Sequence, residues 1–430
     1  MKRLLKVTAM TGLLTLLRMA MGFVIAKVVA VYTGPTGMAM LGQVQNMVTS
    51  LNGIINAPVG SGIVRYTAEK QSEGFETCAP WWRASLQWVL IISAITIPVG
   101  LLLADRIAAW LFQDKTLAWI VMITVAVLPF SAVGTLCNSV INGQQQYRRY
   151  VSLGMISVLI SGAVMLTMIV QANIKGALLA TAVQAALIGM IMLAANLRQP
   201  WCKVRYWWGT TDKEARKAIG SYMLMAITTA LTVPTSLVLV RNILIDQVGW
   251  EAAGQWQAVW KISEVYLGVI TIALGTYYLP RLSSLVGVDA IVSEIHKTAR
   301  IVLPIVAILA LSVYLLRDVA IWLLFTKEFN AARDLFAVQL CGDVVKIASW
   351  LYAYPMLSRG ATKWFIGTEI AFSLSFVVLS HIFVSYAGIK GVTSAYFISY
   401  SIYFLIIFLN VKKLPASQAK LHIILFNMAY

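Results

Sequence analysis

Residues 8–32 read TAMTGLLTLLRMAMGFVIAKVVAVY, and segments of this kind decide the fold. Its charged residues are Arg18 and Lys27, and both are basic. A helix of about 20 apolar residues spans the hydrocarbon core of a bilayer. The length and composition of this stretch therefore predict a transmembrane helix with two positive charges inside it.

The whole chain has the composition of a membrane protein. Hydrophobic residues make up 60% of its 430 residues and charged residues only 12%, and the mean hydropathy is +0.79. Soluble domains carry about 25% charged residues. We therefore expect an all-α polytopic membrane protein. The apolar run after the basic residues 1–6 has no small-residue cleavage site, so we expect the first helix to be retained.

Apolar segments long enough to span the membrane recur about twelve times. The predicted spans are 8–32, 38–64, 84–104, 117–140, 151–171, 175–196, 219–245, 253–279, 299–316, 335–357, 364–386 and 388–411. The longest connection runs from about Arg198 to Lys217 and leaves six spans on each side. The predicted domains are a six-helix bundle over 1–200, a cytoplasmic linker over 201–217, a second six-helix bundle over 218–412 and a cytoplasmic tail over 413–430.

A short internal similarity supports two related halves. GFVIAKVVAVYTGPTGMAMLG (22–42) aligns with SLVLVRNILIDQVGWEAAGQW (236–256), which places Lys27 over Arg241. Repeated halves are common in transporters, whose substrate sites lie near the repeat interface. Two amphiphilic helices also resemble each other by composition alone, and that alternative stays open.

The net charge of +17 has the distribution of a membrane protein rather than of a nucleic-acid-binding one. Most lysines and arginines fall in the even-numbered loops and the termini, which the positive-inside rule places in the cytoplasm. These basic loops also attract anionic membrane lipids. Of the four cysteines, two fall in cytoplasmic loops and two in spans, so we expect no structural disulfide.

Charges inside the spans are candidate functional residues, because a charge near the bilayer centre is costly unless it faces protein or water. The nine-residue spacing of Arg18 and Lys27 puts them on opposite faces of an ideal helix. Arg18 is too deep to reach the interface easily, whereas Lys27 and Arg241 either line an interior or extend to the outer surface. A cationic interior favours an anionic ligand.

The eighth span carries Trp256 and Trp260 on one face, next to Lys261 and Glu264. Aromatic rings beside charged groups suit a sugar, whose C–H surface stacks on rings. The alternatives are an interfacial tryptophan belt and a neutralised Lys261–Glu264 pair. The second span is unusually polar, so one of its faces is expected to line an interior, with Gln43 and Asn46 as further sugar-facing candidates.

Carboxylates in the later spans are candidates for H⁺ or Na⁺ coupling. Asp343 and Lys346 are three residues apart in the tenth span, and Glu369 is isolated in the eleventh. Asp343 and Lys346 form either a neutralised pair or an ion-sensitive pair whose partner changes during transport. Together with Glu264, Asp343 and Glu369 are the ion-coupling candidates.

Motifs of soluble enzymes are missing from the sequence. It has no phosphate-binding GxxxxGK[ST] loop, no GxSxG elbow and only three widely spaced histidines. The predicted external loops are too short to form a catalytic domain, which argues against a membrane glycosyltransferase or polymerase. We expect a transporter that is not an enzyme, with no cofactor and no metal.

Several segments resemble the Wzx-type flippases, the polysaccharide-transporter branch of the multidrug/oligosaccharidyl-lipid/polysaccharide (MOP) exporter superfamily. The similarity is strongest over 221–244 (SYMLMAITTALTVPTSLVLVRNIL), 254–271 (GQWQAVWKISEVYLGVIT), 277–285 and 315–350, and looser over 34–54. The sequence resembles in particular the flippases of O-antigen and enterobacterial common antigen.

The resemblance implies a MATE-like, V-shaped, pseudo-twofold carrier that works by alternating access in the inner membrane of a Gram-negative bacterium. Its cargo would be an oligosaccharide repeat unit on undecaprenyl pyrophosphate, and its partners the polymerase and chain-length regulator of the same pathway. A monomer is expected. The positions that match the cationic lumen of the family are Arg18, Lys27, Arg241, Lys261 and Lys346.

The main alternative within the superfamily is a MATE-type drug or cation antiporter. Such antiporters rely on carboxylates in the amino-terminal half, whereas no Asp or Glu precedes Glu69 in this chain. The sequence therefore favours an anionic cargo. Lipid II flippases of the superfamily usually have fourteen spans rather than twelve.

Overall fold

A computed structural model describes residues 2–359 and 362–413 of the chain. Over these residues the backbone forms helices joined by short turns, and no strand is present. The helices are α1 (Lys2–Asn56), α2 (Ser61–Lys70), α3 (Phe75–Leu102), α4 (Ala104–Phe112), α5 (Ala118–Ala126), α6 (Leu128–Gly143), α7 (Tyr147–Asn196), α8 (Val204–Trp207), α9 (Lys213–Gln247), α10 (Trp250–Ala273), α11 (Leu279–Ser284), α12 (Val288–Leu315), α13 (Arg317–Leu324), α14 (Phe336–Arg359), α15 (Thr362–Ala387) and α16 (Lys390–Leu409).

Two of these helices are too long for one membrane crossing. Helix α7 has 50 residues, which would extend about 75 Å, whereas the hydrocarbon core is about 30 Å thick. Its helical geometry is interrupted at Asn173, where φ is 52° and ψ is −127°. Helix α1 is interrupted in the same way at Gly34. Both breaks fall in the short gaps between predicted spans, so each helix contains two spans.

Nine helical stretches of the described chain are long and apolar enough to cross a membrane. Two of them are the stretches that contain the broken helices α1 and α7, and each accounts for two predicted spans. The remaining predicted span is α10, whose polar residues lower its hydropathy. The all-α polytopic architecture is therefore confirmed, and the nine stretches account for eleven of the twelve predicted spans.

The chain divides into two compact units. For the residues that the structure describes, unit 1 lies within Met1–Tyr32 and Met40–Thr235, and unit 2 lies within Thr33–Ala39 and Ser236–Tyr430. The division falls inside α9 and not in the predicted linker at 201–217. The predicted tail at 413–430 lies outside the described residues apart from Lys413.

Tryptophan side chains fix the segment after α7 against the core of unit 1. Trp82 of α3 is fully buried, stacks on Trp207 at 4.8 Å and donates its indole N–H to Thr67 Oγ1 at 2.9 Å. Trp201 is also buried, and its carbonyl oxygen accepts the indole N–H of Trp207 at 2.9 Å. Part of the segment predicted as a cytoplasmic linker therefore packs in unit 1, because its tryptophans are apolar enough to enter the core.

A close backbone approach brings residues 33–39 into unit 2. Gly34 has a φ of +68°, which favours glycine, and a Cβ at this position would lie 2.6 Å from Glu328 Oε2. A Cβ at Gly254 of α10 would overlap the carbonyl oxygen of Pro35. Glycine at both positions lets this short segment lie directly against α10 and the start of the turn before α14.

Candidate functional site

A buried carboxylate organises the interior of unit 2. Asp343 of α14 is 0% exposed, and its carboxylate accepts three hydrogen bonds of 2.7 Å. Ser263 Oγ and Tyr266 Oη of α10 donate to Oδ2, and Tyr396 Oη of α16 donates to Oδ1. We call these four residues the Asp343 cluster. The cluster ties three helices together, because a buried carboxylate needs donors to replace water.

Lys346 lies one turn after Asp343 and faces aromatic rings. Its Nζ lies 4.9 Å from the centre of the Trp350 ring, 5.5 Å from that of Trp260 and 5.7 Å from that of Tyr400. Such rings attract a cation through their negative faces. Among the described residues, Lys346 forms no ion pair within 4.0 Å. The predicted neutralised pair is therefore not formed, because hydroxyl donors occupy the carboxylate and rings surround the ammonium.

Lys261 and Glu264 do not form an ion pair either, within the part of the chain that the structure describes. The carboxylate of Glu264 accepts the indole N–H of Trp260 at 3.0 Å instead. Glu264 is exposed and Lys261 is partly exposed. Lys261 is thus not paired directly with the carboxylate one turn away.

Arg241 of α9 lies inside unit 2 and does not extend to the outer surface. It is 1% exposed, and its Nη2 donates to Gln257 Oε1 at 2.7 Å. Its guanidinium carbon also lies 5.5 Å from the ring centre of Trp256. Of the two alternatives for Arg241, the structure shows the interior position, where α10 supplies an amide and a ring that replace water around the guanidinium.

The tryptophans predicted to face sugar are packed inside unit 2. Trp256 is 0% exposed and Trp260 is 8% exposed, and their ring centres are 5.4 Å apart. They contact Arg241, Lys346 and Tyr396. In this conformation their faces are used by neighbouring side chains, so they are not open to stack on a ligand.

Unit 1 holds the other two predicted cations. Arg18 is exposed, and no hydrogen bond or ion pair is present for it among the described residues. Lys27 is partly buried. The structure therefore places Arg18 and Lys27 in unit 1 and Arg241, Lys261 and Lys346 in unit 2.

The remaining candidates differ in exposure. Gln43 is 0% exposed and donates its side-chain amide to the Leu111 carbonyl at 3.0 Å, so it holds α1 to α4 and does not face sugar. Asn46 is partly exposed. Glu369 is partly buried, and its Oε2 has no hydrogen-bond partner within the described residues. No group of three His, Cys, Asp or Glu side chains in the described chain is placed to hold a metal ion.

Sequence reasoning did not identify the hydroxyl and amide partners of these charges. Tyr396 and Tyr400 are four residues apart in α16, so they share a helix face, and both are buried. Tyrosines on one face of an otherwise apolar span are the signal that indicates a polar partner on a neighbouring helix. Gln257 gives the same signal in α10.

The fold is similar to that of solved transporters of the MOP superfamily. The structure superimposes on the inward-facing conformation of a multidrug resistance MATE family transporter of the MOP superfamily with a TM-score of 0.72, covering 94% of this chain and 96% of that one at 15% identity. The outward-facing conformation gives a TM-score of 0.67 with 95% coverage of both chains at 14% identity. At these identities the similarity shows the fold alone.

The sequence is similar to a flippase over almost its whole length. The lipid III flippase of Escherichia coli (strain K12) is 28% identical over 401 residues, which cover 93% of this chain and 96% of that protein. The lipid III flippase of Shigella flexneri matches to the same extent. No family model matches the chain. The resemblance to flippases of the MOP superfamily is therefore confirmed.

Proposed function

We propose that this protein is a flippase that moves an oligosaccharide unit, linked to undecaprenyl pyrophosphate, from the cytoplasmic to the periplasmic leaflet of a bacterial inner membrane. The observation that carries the proposal is the match to a lipid III flippase over nearly the full length of both chains. Transport of this kind makes and breaks no covalent bond, so it requires no catalytic residues. The MOP-superfamily fold supports the same conclusion.

The charges of the chain favour this cargo. A lipid-linked pyrophosphate carries at least two negative charges, and Arg or Lys side chains bind such groups strongly where water is scarce. The first 68 residues contain no Asp or Glu, so nothing in this segment neutralises Arg18. We assign Arg18 the first contact with the pyrophosphate, because it is an exposed cation inside the first predicted span.

The other cations have different roles in this proposal. Lys27 and Lys261 are partly exposed and provide further contacts along the path of the head group. Arg241 and Lys346 are held by aromatic rings inside unit 2. They add positive potential without direct contact in this conformation, because a charge in a low-dielectric interior acts over a longer distance than one in water.

The carboxylates of unit 2 are the groups proposed to couple transport to H⁺ or Na⁺. The Asp343 cluster joins three helices, and Glu264 and Glu369 lie on α10 and α15. Both termini are proposed to lie in the cytoplasm, where the basic loops are favoured. The periplasmic polymerase that consumes the flipped unit is the expected partner in the pathway.

Arg18 substitutions test the proposal. In a strain without its own lipid III flippase, Arg18→Glu should reduce surface glycan at least tenfold, whereas Arg18→Lys should keep part of the activity because the charge is retained. The matched control is Arg106→Glu, an exposed arginine of α4 with no assigned role. Each variant is compared at equal abundance in the membrane. Normal glycan display by Arg18→Glu would refute the assignment of Arg18.

Proteoliposomes distinguish the flippase from a drug antiporter. The purified protein should move a labelled undecaprenyl-pyrophosphate oligosaccharide between leaflets and should not exchange cationic dyes for H⁺ or Na⁺. Dye transport without lipid translocation would overturn the proposed function. Dissipation of each ion gradient in the same vesicles then tests the coupling assignment separately.

A further inference from the structure

A basic groove lies at one end of unit 2, apart from the Asp343 cluster. It has a volume of about 720 Å³, within the range of ligand pockets in proteins, and its walls come from the first half of α12 and from the chain just after α16. Its charged and titratable lining residues are Asp289, His296, Lys297, Arg300 and Lys412. We propose that this groove binds the phosphate head group of an anionic phospholipid.

The cations of the groove are available to a ligand. Lys297, Arg300 and Lys412 are all exposed, and none belongs to an ion pair in the described part of the chain. The adjacent Glu294 pairs instead with Arg281, at 3.6 Å. Asp289 is the one carboxylic acid among the residues that line the groove, so three basic side chains line it together with one acidic side chain.

The groove is held in shape by its buried side. His296 Nδ1 lies 2.8 Å from the hydroxyl oxygen of Tyr352, and the His296 ring packs edge-on against Phe408 of α16 at 6.4 Å. These contacts fix α12 to α14 and α16, and they use Nδ1 of the His296 ring. The basic side chains are therefore mounted on a rigid base, which reduces the entropy lost on binding.

The continuation of α12 distinguishes a lipid from free phosphate. Ile301 lines the groove and is 57% exposed, and it is followed on the same helix face by Ile305 at 52% and Ile308 at 64% exposure. From Ile301 to Ile308 this apolar stripe extends about 10 Å along the helix axis. A head group in the groove would place its acyl chains along this stripe, whereas free phosphate would leave the stripe unused.

The depth of the groove in the membrane agrees with this assignment. The ninth span is predicted to begin at residue 299, so the groove lies where α12 leaves the hydrocarbon and enters the head-group region. Basic pockets at this level attract the head groups of anionic lipids, particularly on the cytoplasmic side. The predicted cytoplasmic position of both the loop before α12 and the end of α16 matches that side.

A second basic groove, in unit 1, does not show the same availability. Its basic lining residues are Lys6, Arg148 and Arg149. Arg149 donates through Nη2 to the carbonyl oxygen of Ala195 at 2.8 Å and to Asn196 Oδ1 at 2.9 Å. Its guanidinium is thus used by the fold, and the groove of unit 2 is the stronger candidate.

The test is equilibrium binding to the full-length protein in a neutral detergent, with fluorescent phosphatidylglycerol as the probe. Unlabelled phosphatidylglycerol should displace half of the bound probe at a concentration at least tenfold lower than the concentration of phosphatidylcholine that has the same effect. The triple variant K297Q/R300Q/K412Q should bind the probe at least tenfold more weakly. The matched control K203Q/K213Q/K217Q removes the same number of charges from exposed positions outside the groove and should bind within twofold of the original protein.

Three outcomes would overturn the proposal. The first is unchanged probe binding by the groove variant, and the second is a loss of probe binding in the control variant equal to that in the groove variant. The third is competition by inorganic pyrophosphate as effective as that by phosphatidylglycerol, which would indicate a site for free phosphates. If the triple variant is not monodisperse, Lys412→Gln and Lys412→Arg replace it, since Lys412 is exposed and follows the end of α16. The Gln variant should weaken binding at least threefold and the Arg variant should not.

Discussion

Replacing Asp343 by alanine tests whether one carboxylate holds three helices of unit 2 together. The substitution removes the acceptor of three hydrogen bonds, from Ser263, Tyr266 and Tyr396. Hydrogen bonds between membrane helices contribute about 0.6 kcal/mol on average and up to about 1.7 kcal/mol. Three such bonds give an expected loss of about 2–5 kcal/mol in the free energy of unfolding.

Asparagine at the same position should be much less harmful. Its Oδ1 can accept from Ser263 and Tyr266, and its Nδ2 can donate to Tyr396 if that hydroxyl turns to become the acceptor. All three contacts are then kept in neutral form. We expect Asp343→Asn to cost less than about 1.5 kcal/mol, since it exchanges stronger charge-assisted bonds for neutral ones and removes a charge from the interior.

Unfolding by sodium dodecyl sulfate, followed by far-ultraviolet circular dichroism, measures these differences. The control is Ser380→Ala, because Ser380 is 0% exposed and its hydroxyl has no partner among the described residues. Its loss should leave the stability unchanged or slightly higher. An alanine variant within 1 kcal/mol of the original protein, or an asparagine variant as unstable as the alanine one, would refute the role given to the cluster.

Three further substitutions test packing and the reassignment of one polar residue. Gly254→Ala should destabilise by about 1–3 kcal/mol in the same unfolding assay, because its methyl group overlaps a backbone carbonyl, whereas Gly12→Ala, with open space around it, should be neutral or slightly stabilising. Trp82→Ala should cost about 3–5 kcal/mol, and Trp208→Ala, at a residue 67% exposed, less than about 1 kcal/mol. Gln43→Leu should lower the free energy of unfolding by about 1–3 kcal/mol, because the hydrogen bond to the Leu111 carbonyl is lost. The rate of lipid translocation per folded molecule should stay the same. A variant that is fully stable but no longer translocates lipid would instead support the sugar-facing role of Gln43.

Much of the fold follows from the sequence because membrane helices have a strong signal. Apolar length and sparse charge predicted the twelve segments, and the breaks at Gly34 and Asn173 fall between predicted spans. Helix α12 begins at Val288, eleven residues before the predicted ninth span at 299, because its first turns are polar and continue the helix outside the apolar run. Local hydropathy cannot distinguish polar helical turns outside the hydrocarbon, such as the first turns of α12, from a loop.

The candidate site was less predictable, since it depends on contacts between helices. Spacing along one helix suggested that Lys346 pairs with Asp343, whereas their partners come from α10 and α16. The same limit applies to Arg241, whose partner Gln257 is on the next helix. Periodicity identifies which residues share a helix face. The interaction partner of a buried charge depends on which helices, distant in sequence, pack against that face.

The inclusion of residues 33–39 in unit 2 has a consequence for dissecting the molecule. A fragment that begins at residue 236 would lack a peptide that lies against Gly254 and Glu328. The two halves are thus not separable by one cut in the chain, and co-expressed fragments would reassemble only if the first one contributes its loop to the second. Fusion or circular permutation of this protein should therefore keep residues 1–39 continuous with the rest of α1.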